Sequence, residues 1–181
     1  MKKAFVVIYV ILTSLTVFPQ EKQNHATWEE TVAFIDKYIA KASLLELNAM
    51  NNTYKINNFN VSINNDLLKI TINQYSKESF KYGYDRTHKI YRTQLNYNLT
   101  DLVSSKWMYL HFRKSQLVTI NGKNNVSGNM DFTHDEKLKS FKITGFDDAD
   151  LKDRLNKAFK HLAYLATEKR KKEREASGEK F

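Results

Sequence analysis

The sequence predicts an α+β domain: a six- or seven-stranded antiparallel sheet, bent or closed into an open barrel, with an N-terminal helix and a C-terminal capping helix. Three observations predict it. Apolar residues recur at helical spacing over 27–46 and again over 148–167. Between them, over 54–144, the pattern changes to period two. No helical crossover segment interrupts that β region, so the strands pair antiparallel.

The first helix opens in "TWEETVAFIDKYIAKASLLEL", where Thr27 is followed three residues later by Glu30. That spacing is a capping box, in which each side chain satisfies the backbone N–H of the other. Trp28, Val32, Ile35, Ile39 and Ala42 form one face, and Phe34, Tyr38 and Leu45 widen it. A face that broad implies packing against a sheet.

In the β region, "YKINNFNVSI" alternates on Phe59, Val61 and Ile63, and "NND" turns the chain into "LLKITINQYS". "KIYRTQLNYNL", "KWMYLHFRKS" and "QLVTI" each read as a strand, and "NGKNNVSGN" reads as a loop or hairpin tip. "MDF" and "LKSFKIT" close the set.

The last helix carries Leu151, Leu155, Ala158, Phe159, Leu162, Leu165 and Ala166 on one stripe, with Asp147 or Asp148 as its cap. Beyond Ala166 the apolar period stops. Residues 168–181 are a charged helix end and tail, in which six Lys and Arg are interleaved with four Glu. A segment built to grip an anionic surface would be a basic run without carboxylates, so the tail reads as a solvated helix end.

The chain has 181 residues, 41% hydrophobic and 27% charged, which suits one domain, placed at 21–167, with its own core. "MKK" followed by the largely apolar fifteen-residue run "AFVVIYVILTSLTVF" reads as an export signal over 1–20. At 1.5 Å per residue that run spans about 22 Å, short of a hydrocarbon core of about 30 Å. Ser14 and Thr16 are the small residues available at the −3 and −1 positions of a cleavage site. The expected location is periplasmic or extracellular, with no transmembrane span in the mature form. With no cysteine anywhere, a lipobox is excluded and an exported domain relies on its core rather than on disulfides. The formal charge of +9, two units of it from Lys2 and Lys3, is a mild bias toward anionic partners; nucleic acid is not expected.

Candidate chemistry is sparse. "FKYGYDR" places Phe80, Tyr82 and Tyr84 beside Lys81 and Arg86, an aromatic and cationic stretch suited to stacking on rings and holding acidic groups. These five residues are the candidate ligand-binding set; an edge strand bent at Gly83 is the structural alternative. His134, Asp135 and Glu136 are consecutive, which rarely directs three side chains at one ion, and "DFTHDE" lacks the calcium-loop spacing. There is no H-E-x-x-H, no G-x-S-x-G and no phosphate-binding P-loop. No catalytic residue, metal site or cofactor is expected.

The order of strands followed by a helix with Leu151, Leu155, Phe159 and Leu162 inward resembles the pleckstrin-homology-like superfold, over about Tyr54 to Leu165. "YRTQLNYNLTDLVSSKW" is also similar to a strand-to-corner segment of bacterial members. The resemblance implies a binding or scaffolding module; phosphoinositide binding does not follow, because the first hairpin loop "NND" carries no basic cluster. A helix before a curved sheet would also suit a cystatin-like or NTF2-like cone, which hosts small-ligand pockets and enzymes. The expectation is thus an exported, non-catalytic binding or envelope-associated module for a protein, peptide or anionic envelope component. The alternative is a pocket protein or enzyme.

Overall fold

A computed structural model describes residues 25–49, 52–73, 75–81, 84–90, 92–124 and 130–178. The expected export signal over 1–20 lies outside them. Helix α1 is Trp28–Ile39, and α2 is Ala149–Ser177. Between them run β1 Leu44–Ala49, β2 Asn52–Ile56, β3 Phe59–Asn64, β4 Leu67–Ile72, β5 Tyr75–Lys81, β6 Tyr84–Ile90, β7 Thr93–Asn98, β8 Leu102–Lys106, β9 Tyr109–Asn124 and β10 Met130–Thr144. The architecture is α+β, antiparallel throughout, with the two helices flanking the strands. The strands form two sheets and do not close into a barrel. One has the order β2-β1-β10-β9-β6-β5, with β8 pairing β9 off this path; the other is β3-β4-β7.

Helix α1 begins as the capping box requires: Glu30 N–H donates to Thr27 Oγ1 at 3.2 Å, and Thr27 N–H donates to Glu30 Oε2 at 2.8 Å. It ends at Ile39, not at the expected residue 46. The run "LLEL" fits either period, and pairing decides it. As β1 it lies between β10 and β2, so its backbone groups are satisfied on both sides while Leu45 and Leu47 are fully buried. The strands therefore start at residue 44 and not at 54. Phe34 and Tyr38, expected against a sheet, lie half-buried within reach of Arg154 on α2.

Two expected strands are each divided. "KIYRTQLNYNL" supplies β6 to the larger sheet and β7 to the smaller one. "KWMYLHFRKS" is broken by a turn at Trp107 and Met108. The expected turn at "NND" forms between β3 and β4, with Asn65 at φ 50°.

Strand β9 bends the larger sheet. Its first residues lie between β8 and β10, and its last lie between β10 and β6. The register with β10 jumps from Leu138↔Gln116 to Ser140↔His111, so several β9 residues bulge opposite Lys139. At the bend, Tyr97 of β7 stacks on Phe112 of β9 at 4.4 Å, and both contact Phe141 of β10, at 5.2 and 5.9 Å. The buried Tyr97 hydroxyl donates to the Leu138 carbonyl at 3.3 Å, and burial pushes its phenol up. This aromatic triad joins the two sheets.

After β10 the chain turns at Gly145, where φ is +85° and an added Cβ would lie 1.8 Å from Ser43 Oγ. Asp148 then caps α2, accepting from the N–H groups of Asp150 and Leu151. The helix buries Leu151, Leu155, Ala158, Phe159, Leu162 and Ala166 as expected, whereas Leu165, expected on the same stripe, is only half-buried; the helix lies against β8 and α1. At the start of α1, His161 bonds the Ala26 carbonyl; at its end Arg154 meets Tyr38, so the helices run antiparallel. Helix α2 continues past the expected 167 to Ser177 and ends at Gly178, φ +68°. Solvation without a tertiary contact begins only at Lys171, because Arg170 bonds Asp66 in the β3–β4 turn, with Nε at 3.0 Å.

Burial pushes the Asp66 carboxyl up, but the hydrogen bond and charge of Arg170, with help from Asn98, outweigh it and hold the group below the usual range. A depressed carboxyl contributes stability above its unfolded pKa of about 3.9, and loses it as pH falls through the folded value. Arg170→Gln should therefore lower stability by about 0.5–1 kcal/mol at neutral pH. The gap from wild type should close as pH falls below the ordinary carboxylate range. Denaturant unfolding across a pH series checks this; a gap that persists in acid would show that Arg170 acts by packing alone.

Candidate functional site

Strands β8 and β9 are joined by two residues, Trp107 and Met108, inside the closing pair Lys106↔Tyr109. Both are left-handed, at φ 52° and 60°. Two-residue hairpins of this hand normally use Asn-Gly, because a left-handed side chain costs about 1–2 kcal/mol per residue. Here the turn is braced from inside the molecule. Asn156, on the buried stripe of α2, accepts from Met108 N–H at 3.0 Å and from Ser105 Oγ at 2.8 Å through one oxygen. The Met108 carbonyl accepts from Ile143 N–H at 3.0 Å, and the Met108 side chain is fully buried.

The brace holds Met108 in and Trp107 out. Trp107 is 73% exposed, the most exposed large apolar side chain among the described residues, and Val103 at 59% and Tyr109 at 36% lie on the same hairpin. Lys106 Nζ stands 4.5 Å from the Trp107 ring centroid. From this turn the register runs across five strands as Lys106, Tyr109, Lys142, Glu46 and Lys55. The Tyr109 hydroxyl shares a 2.6 Å bond with Ser140 Oγ, and Lys142 pairs with Glu46 at 3.8 Å. The row is aromatic and cationic, with one acid.

The candidate residues from "FKYGYDR" lie elsewhere. Phe80 and Lys81 end β5, an edge strand of the larger sheet, and Tyr84 and Arg86 begin β6. The register sets Lys81 opposite Tyr84, Ser79 opposite Arg86, and Phe80 opposite Asp85, so Phe80 has the other parity. Tyr82 lies outside the described residues. This hairpin joins β9 at its far end, where Arg86 pairs Asn124, away from the Trp107 turn.

At the β9 bulge, Leu67, Asn96, Tyr97, Asn98, Asp101, Phe112, Lys114 and Gln116 line a recess of about 120 Å³. Drug-sized ligand pockets run to about 300–1,000 Å³, so this one suits waters or a very small polar group. Among the described residues no three His, Asp or Glu side chains gather as metal ligands would. Nor is any described helix long and apolar enough to cross a membrane.

Fold and surface together define a cysteine-free α+β domain with a braced aromatic turn. Compared with protein-family models, characterised proteins and solved structures, the chain matches none.

The Trp107 turn escaped the sequence reading because "KWMYLHFRKS" holds no Gly, Asn, Asp or Pro to mark a turn. The one available signal was Asn156, a polar residue between Leu155 and Phe159 on an otherwise apolar stripe. Trp107→Asn should raise stability by about 0.5–1 kcal/mol, since Asn tolerates the left-handed region and the exposed ring contributes little beyond its Lys106 contact. Denaturant unfolding checks this; a clear loss of stability would mean that Trp107 supports the fold.

Proposed function

We propose that the protein is an exported, non-catalytic binding module and that Trp107 is its anchor for a partner. One observation carries this reading: a large aromatic ring is held out in water on a strained turn, with a buried carboxamide committed to keeping it there. Strain at a turn that α2 over-determines is a recurring mark of functional positions. A rigid, pre-ordered Trp loses little freedom on docking, which is why such rings dominate binding interfaces. Lys106, Lys142 and Lys55, against the single Glu46, favour a partner protein, peptide or envelope component with net negative charge. The likeness to the pleckstrin-homology-like superfold, largely made of binding and scaffolding modules, points the same way, and the signal-like residues 1–20 supply the export. For the pocket-protein alternative, the recess beside Phe112 is too small for most metabolites.

A photoreactive phenylalanine analogue placed at position 107, in cells that make and export the protein, tests the reading. A discrete crosslinked product should form from position 107 and not from position 171 on the solvated end of α2. If folded, exported protein yields no more product from 107 than from 171, Trp107 is not an anchor.

A further inference from the structure

The end of α1 and the beginning of α2 meet in an unusual gathering of charge. Phe34 and Tyr38, one turn apart on α1, pack ring to ring at 4.9 Å. The Arg154 guanidinium lies over both, 5.0 Å from the Phe34 centroid and 6.0 Å from that of Tyr38. Lys37 Nζ and Lys41 Nζ lie over the Tyr38 ring at 5.3 and 5.0 Å. Three cations thus share one aromatic ring, and none of the three forms an ion pair among the described residues.

The neighbouring acids are otherwise engaged or separate. Asp153 pairs with Lys157 at 2.7 Å, and Asp148 caps α2. Asp150, a turn before Arg154, makes no ion pair with it. Asp36, next to Lys37 in sequence, is solvent-exposed and forms no ion pair with it among the described residues; partial desolvation pushes its carboxyl up. The negative end of the α1 dipole favours Lys37 and Lys41. It does not account for Arg154, which stands near the positive end of α2. Like charges spaced i,i+4, as Lys37 and Lys41 are, repel. Cation–π contact holds each charge in place without cancelling any of them.

We propose that Arg154, Lys41 and Lys37, set on Tyr38 and Phe34 at the α1–α2 junction, form a binding site for a phosphate group. A guanidinium held over aromatic rings by its π contacts keeps N–H donors for bonds to a phosphate, and the two ammonium groups add donors and charge. The phosphate belongs either to a small soluble anion or to a lipid headgroup. The site is independent of Trp107, and its failure would leave that reading intact.

Two arms of one experiment separate the sources. In the first, inorganic phosphate and then pyrophosphate are titrated into the folded protein while the backbone amide signals of Lys41 and Arg154 are followed. In the second, sedimentation is measured with phosphatidylcholine vesicles that contain or lack phosphatidylglycerol. Saturable shifts in the first arm identify a soluble anion. Sedimentation that requires phosphatidylglycerol, without a phosphate response, identifies a headgroup. In the arm that responds, Arg154→Gln and Lys41→Gln should each weaken binding about tenfold or more, as loss of a charge-assisted bond implies. Lys171→Gln, which removes one positive charge from the solvated end of α2, should leave binding unchanged. No saturable response in either arm, or equal weakening by Lys171→Gln, would overturn the proposal.

Discussion

One carboxamide oxygen, that of Asn156, ties the last helix to the middle of the chain. It accepts from Ser105 and Met108, which lie 51 and 48 residues earlier, and all three residues are buried. A buried polar group left without partners costs about 1–3 kcal/mol, so this contact fixes both the rotation of α2 and the path of the β8–β9 turn. Two left-handed residues cost about 2–4 kcal/mol together. Two hydrogen bonds at about 1 kcal/mol each and a buried Met side chain at about 1.5–3 offset that cost. The turn stands because the helix is docked, and docking the helix with the turn elsewhere would strand Asn156.

The rest of the fold is arranged around that constraint. With α2 held against β8, the start of β9 is fixed between β8 and β10, and the chain must bend before β9 can reach β6. The bulge opposite Lys139 supplies the bend, and the Tyr97–Phe112–Phe141 stack fills the angle and draws the small sheet onto the large one. Helix α1 closes the side of α2 that the strands leave open, through Ala26–His161 at one end and Phe34, Tyr38 and Arg154 at the other. Both candidate surfaces are therefore products of where α2 sits.

Sequence patterns conveyed most of the architecture, and the failures have physical causes. The capping box at Thr27 and Glu30, the stripe from Leu151 to Ala166 and the turn at Asn65 were legible because each rests on local chemistry. The run "LLEL" was ambiguous, since four residues fit both periods and only the two flanking strands decide. The division of "KIYRTQLNYNL" between two sheets depends on long-range pairing that no local window contains. The Trp107 turn was least legible, because a non-local hydrogen bond holds residues that local propensity would keep extended. The cationic cluster on Tyr38 was hidden for a related reason: its third member, Arg154, comes from the other end of the chain.

Amide hydrogen exchange at Met108 tests the central claim most directly. If Asn156 clamps the turn, the Met108 N–H should exchange only when α2 undocks, with protection close to that of the core amides of β9 and β10. Exchange at the rate of an exposed hairpin turn, with α2 still protected, would contradict the account.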